Sequence, residues 1–176
     1  APWSAVGAGA VGSDPAATAP LSLAGFLVVC GVSGLLAAVA MDVPMARSED
    51  GFVPAYVAAA VLRRTTPSAA TFLDALVVHH AVGTVAGGLY GLAYLTLSAV
   101  VPGLVAVGGV DLLPHLLATA AVTAFVYAFF AHVVLPRAGR QIYEERATAV
   151  RGQWLRSAVV FGVVLGVTVP VFTSVF

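Results

Sequence analysis

The chain has 176 residues, of which 60% are hydrophobic and only 9% charged, with a mean hydropathy of +1.01; an ordinary soluble domain is about 45–50% apolar and about 25% charged. No soluble fold of this length can bury so much apolar surface, so lipid is the implied solvent. Eight basic residues against eight acidic ones leave no global field to recruit nucleic acid, and a lone cysteine, Cys30, excludes a disulfide framework and a cysteine-rich metal centre.

Residues 1–20 are rich in Ala, Gly, Ser and Pro, carry no positive charge and show no helical or strand period. They read as an extramembrane tail rather than a signal peptide. A first apolar span covers 21–41, about 20 residues, which matches a hydrocarbon core of about 30 Å. It is expected to stop at Asp42 and Pro44, with Asp42 paired to Arg47 at headgroup level. The apolar stretch 52–62, closed by Arg63 and Arg64, reaches only about 16 Å as a helix. It is too short to span and reads as an interfacial helix whose C-terminal dipole the arginines complement.

A second span covers 70–101, opening on the T-x-x-D pattern of Thr71 and Asp74 that marks a helix N-terminus. A third covers 112–135, with Asp111 as N-cap and Pro114 in its first turn. In the charged segment 136–153, Tyr143, Ala147, Val150 and Trp154 recur on one helical face. A second interfacial helix is expected there, with Trp154 as an interfacial anchor before the fourth span, 154–176.

All eight basic residues are arginines, and all lie in or beside the first and third connections. The positive-inside rule therefore puts 42–71 and 136–153 in the cytoplasm and both termini on the opposite side of the cell membrane. The fold class is all-α: a four-helix membrane bundle forming a single domain over 21–176, with one or two short interfacial helices. Gly83, Gly87 and Gly91 on the second span, and Gly162 and Gly166 on the fourth, repeat every four residues and predict close helix contacts.

No catalytic motif is present. The chemical candidates are histidines: His79 and His80 lie about 10–12 Å into the second span from its Arg-bearing end, and His132 enters the same half from the third span. His80 shares the glycine face. Ionisable groups at such depths are functional-site candidates because leaving them unsatisfied in lipid is costly. Three partners suit them: a metal or haem b iron between His80 and His132, a quinone carbonyl accepting from His79 or His80, or backbone carbonyls and hydroxyls of neighbouring helices. Asp42 with His80 forms a further candidate proton or cation site. His115 is placed near the outer edge.

The stretches AAVAMDVPMARSEDGFVPAYVAAAVL and HHAVGTVAGGLYGLAY resemble small multi-pass membrane proteins found in extreme halophiles and some bacteria, a resemblance that brings no activity or site residue with it. The expectation is a non-enzymatic accessory or scaffolding subunit of a larger membrane assembly, with lipid and other subunits, or further copies of itself, as partners and no nucleic acid. The alternatives are a small b-type cytochrome or quinone-associated electron carrier, and a proton- or ion-conducting oligomer.

Overall fold

In the computed structural model, which describes residues 21–176, four helices are long and apolar enough to cross a membrane. Helix α1 covers Leu23–Ala46, α3 Phe72–Ser98, and α6 Gln141–Val175. The remaining span is composite: α4 (Leu112–Ala128) runs through a π-helical turn (Phe129–Val134) into α5 (Leu135–Ala138). Between α1 and α3 lies the short α2, Val53–Arg63. The expected tail, 1–20, lies outside the described residues.

Helix α1 packs on α3 and α6, and α4 packs on the same two, so the four long helices form a ring with α1 diagonal to α4. Their outward faces are predominantly apolar. On α6, Val159, Val163, Val167 and Val171 recur every fourth residue and are all exposed, as a helix facing hydrocarbon requires.

Both Arg-bearing segments meet at one end of the ring. Asp50, 3% exposed, pairs with Arg146 at 2.8 Å, and its N–H donates to Gln153 Oε1 at 3.0 Å. Arg146 also reaches Glu49 at 3.2 Å. At the other end, β1 (Ala106–Val107) and β2 (Val110–Asp111) form a minimal antiparallel hairpin. Its turn residues, Gly108 and Gly109, have φ of +57° and +82°, the positive values that a two-residue hairpin turn of this kind demands. Thr173 Oγ1 donates to the Gly108 carbonyl and fastens the hairpin to the end of α6.

Several boundaries differ from the sequence reading. Helix α1 does not stop at Asp42 or Pro44 but runs to Ala46 with Pro44 inside it. A proline this close to a helix end removes one internal bond and clashes only with the preceding turn, so the helix can continue past it to Ala46. Arg47 is exposed, and the partners of Asp42 are His79 and His80.

The segment before the fourth span is not a separate helix. Helix α6 is continuous for 35 residues, about 52 Å at 1.5 Å per residue, so its charged first four turns project beyond any hydrocarbon core of about 30 Å. The face carrying Val150 and Trp154 covers protein: both are buried, and Trp154 meets Phe130 with ring centroids 5.2 Å apart. Trp154 is therefore a packing residue of the bundle rather than an anchor in the interface. At the start of α3 the Thr71–Asp74 pair forms a complete capping box. Arg63 binds the Asp74 carboxylate as well, tying the end of α2 to the start of α3. Asp111 occupies the N-cap position of α4 without a side-chain capping bond.

Candidate functional site

The site begins with a glycine seam. A Cβ at Gly34 would lie 2.7 Å from Gly87 Cα, and one at Gly87 would lie 2.9 Å from Gly34 Cα. The two backbones therefore touch, an approach that only residues without side chains permit. Gly83 sits against Ala38, and Gly91 against Leu27 and Cys30. On the other side of the bundle Gly162 lies against Thr123, whereas Gly166 has only ordinary contact with Thr119.

The seam brings the side chains of two consecutive α3 residues within reach of α1. His79 is buried, and its Nε2 lies 3.1 Å from the Ala38 carbonyl. A carbonyl only accepts, so Nε2 carries a proton. His80 Nε2 lies 2.9 Å from Asp42 Oδ2, a charge-assisted bond to the carboxylate. The other carboxylate oxygen, Oδ1, is 3.6 Å from His79 Nε2 and buried without a hydrogen-bond partner. Asp42, His79 and His80 thus present three ligand-capable atoms within 4.8 Å of one another.

His79 also lines an apolar cavity of about 260 Å³ between α2, α3, α4, the π-turn and Trp154 of α6. The walls are aliphatic and aromatic, including Phe125, Phe129 and Phe130. Among the described residues His79 is their only titratable side chain, since the other members are Pro, Ala, Val, Leu, Phe and Trp. The indole Nε1–H of Trp154 is directed at the Val126 carbonyl at 3.4 Å.

His132 is not part of this group. It lies in the π-turn, exposed, its ring edge-on to Tyr127 at 6.1 Å between centroids. The structure brings His80 together with His79 and Asp42 rather than with His132, whose side chain is exposed on the π-turn at the end of the third span. Pro136 explains the turn. In the π register, shown by the Leu135 N–H donating to the Phe130 carbonyl, the donor to Ala131 would be residue 136, which has no N–H. Arg151 Nε supplies it at 3.0 Å.

The same device recurs at the opposite end. Pro170 inside α6 deprives the Gly166 carbonyl of its helical donor, and His115 Nε2 donates to that carbonyl at 3.0 Å. With Nε2 protonated, Nδ1 accepts from the Tyr90 hydroxyl at 2.6 Å. His115 is 2% exposed and is a fully satisfied cross-link between α3, α4 and α6. Sequence reasoning placed it at an edge; the readable signal was Pro170, whose orphaned carbonyl requires a donor from elsewhere.

No known protein family matches this chain, and no curated protein or solved structure matches it either, so its function rests on its own residues.

Proposed function

We propose that this chain is a non-enzymatic accessory or scaffolding subunit of a larger assembly in the cell membrane, with 42–71 and 136–153 on the cytoplasmic side and both termini on the other. The orientation is supported by the eight-to-none distribution of arginines between the two sides. The observation that carries the subunit reading is a groove on the lipid-facing surface between α4 and α6. Ala120, Ala124, Ala158 and Gly162 line it, and beneath them the Thr119 and Thr123 hydroxyls are buried without partners. A rim of small residues suits a partner transmembrane helix, because helix association in lipid depends on close packing.

The test fills the groove from its exposed rim with Ala120→Phe and Ala124→Phe. Native electrophoresis of mildly solubilised membranes is expected to shift the chain from a larger complex to a smaller one, with its own melting temperature retained. Migration as the same species before and after substitution overturns the reading.

A second reading is favoured by the cavity beside His79: an apolar small molecule of the quinone class, held in its quinol form by a hydroxyl that donates to the unprotonated Nδ1 of the single imidazole, since Nε2–H is engaged by the Ala38 carbonyl. Mass spectrometry of organic extracts from purified protein tests it. A co-purifying quinone that Val82→Phe at the cavity wall removes supports it, and extracts containing lipid alone refute it.

A further inference from the structure

We propose that Asp42, His79 and His80 form a binding site for one first-row divalent transition metal ion, of which Zn²⁺ is the representative. This is independent of the subunit reading and of any occupant of the adjoining cavity. The first argument is geometric. Bonds of about 2.0–2.1 Å to a tetrahedral Zn²⁺ set ligand atoms about 3.3–3.5 Å apart. The nitrogen–oxygen separations here, 2.9 Å from His80 to one oxygen of the Asp42 carboxylate and 3.6 Å from His79 to the other, lie on either side of that spacing, and one ligand atom from each of the three residues falls within 4.8 Å of the others.

The second argument is an unsatisfied group. A simple ion pair between His80 and Asp42 accounts for Oδ2 and leaves Oδ1 buried with nothing bonded to it. Buried polar atoms in native proteins are almost always paired, and an orphan calls for an explanation such as an ion. A cation seated between the carboxylate and both imidazoles uses Oδ1 and removes the anomaly. On ligation each Nε2 loses its proton and the ring keeps one proton on Nδ1, by tautomer exchange through water in a neutral ring or by release to water from a doubly protonated one, and the Ala38 carbonyl retains the Asp42 N–H that the α-helical register provides.

The ligand set selects the ion. Two imidazoles and one carboxylate, with no thiolate, suit Zn²⁺, Ni²⁺, Co²⁺, Fe²⁺ or Cu²⁺, whereas Mg²⁺ and Ca²⁺ prefer all-oxygen sites. Cys30 lies twelve residues before Asp42 on α1, about 18 Å along the axis, and contributes nothing. Three protein ligands leave a fourth position for water or an exchangeable ligand. The side chains of Asp42 and His80 are 26% and 25% exposed, so that position is reachable from outside the bundle.

The experiment titrates the full chain, purified in detergent and stripped with chelator, with Co²⁺ and then Zn²⁺. The expected result is a visible Co²⁺ ligand-field band saturating at one ion per chain and displaced by one equivalent of Zn²⁺. His80→Ala and Asp42→Asn are each expected to weaken binding by at least about 100-fold, since changes outside the ligand shell alone cost about 10- to 100-fold. His132→Ala is expected to leave binding unchanged. His80 is partly exposed, so its alanine variant retains the fold; circular dichroism melting verifies this and makes that variant decisive if Asp42→Asn fails to fold. A wild-type chain with no saturable band overturns the proposal. So does a band that survives in folded His80→Ala, or one that His132→Ala abolishes.

Discussion

The interhelical bond from His115 to Gly166 is the place where sequence chemistry, packing and stability can be separated by experiment. His115→Ala removes the donor to the Gly166 carbonyl and the acceptor of the Tyr90 hydroxyl, leaving two buried polar groups without partners. Hydrogen bonds between membrane helices average only about 0.6 kcal/mol, with a maximum of about 1.7, because the unfolded chain in lipid finds other partners. The Gly166 carbonyl has fewer such partners than most. Pro170 denies it a backbone donor even in an isolated α6, so its loss belongs at the upper end of that range. Adding the Tyr90 hydroxyl and the space left by the ring, at about 1–3 kcal/mol for each unsatisfied buried group, His115→Ala should cost about 2–4 kcal/mol. At about 2–4 °C per kcal/mol for a chain of this size, the melting temperature falls by roughly 4–16 °C.

The discriminating experiment is a double-mutant cycle with Pro170→Ala, read by thermal melting in one detergent. Alanine at 170 restores an N–H to the helix ladder, so the Gly166 carbonyl no longer depends on the imidazole. His115→Ala should then cost about 1–2 kcal/mol less in the Pro170→Ala background, the worth of the rescued carbonyl at the upper end of the membrane range. Equal costs of His115→Ala in the two backgrounds would refute the assignment of His115 as the substitute donor.

Gly87→Ala is expected to destabilise the chain by several kcal/mol in the same melting assay, because its Cβ meets the Gly34 backbone, whereas Gly88→Ala, one residue along and facing open space, should be neutral or slightly stabilising; equal effects would remove the seam from the account. Arg151→Ala should lower stability by about 1–3 kcal/mol by orphaning the Ala131 carbonyl, and Pro136→Ala should reduce that loss; melting of the single and double variants decides. A membrane-impermeant thiol reagent applied to intact cells should modify cysteine at Leu104, which is 78% exposed, and spare cysteine at Glu49. The reverse pattern would invert the proposed orientation.

The spans were legible because bilayer thickness imposes a length on any apolar helix, and because Thr71 and Asp74 signal their capping box by spacing alone. Less was legible where a local rule met tertiary context. Pro44 and the charges before Trp154 are ordinary stop signals, yet α1 continues through the first and α6 begins well before the second. Gln141, Glu144, Glu145, Arg146 and Ala147 are good helix formers, and Arg146 gains a partner in Asp50 only when the chain has folded. The glycine ladder on α3 was visible in sequence, whereas its partner stripe on α1, Cys30, Gly34 and Ala38, has the same spacing of four but only one glycine among its three small residues. The hairpin escaped because two-residue strands give no alternation to read, although Gly108-Gly109 is a turn signal.

The histidines show what depth alone leaves undetermined. His79, His80 and His132 were grouped because they enter the same half of the membrane, but distance along the axis does not fix azimuth, and Pro136 resets azimuth by imposing a π-turn just before it. His79 and His80 differ by about 100° on an ideal helix, which would normally send one inward and one away. Both instead engage α1, because contact at Gly34 and Gly87 brings its backbone close enough for Ala38 to meet one ring and Asp42 the other. The glycine seam and the Asp42–His79–His80 group are therefore one structural feature. A side chain at Gly87 should displace α1 from α3 and lengthen the His80–Asp42 separation before any residue of the group is changed, so Gly87→Ala that still folds is expected to lose Co²⁺ binding along with stability. Full retention of binding would show that the group assembles without the seam and would separate two features that the packing joins.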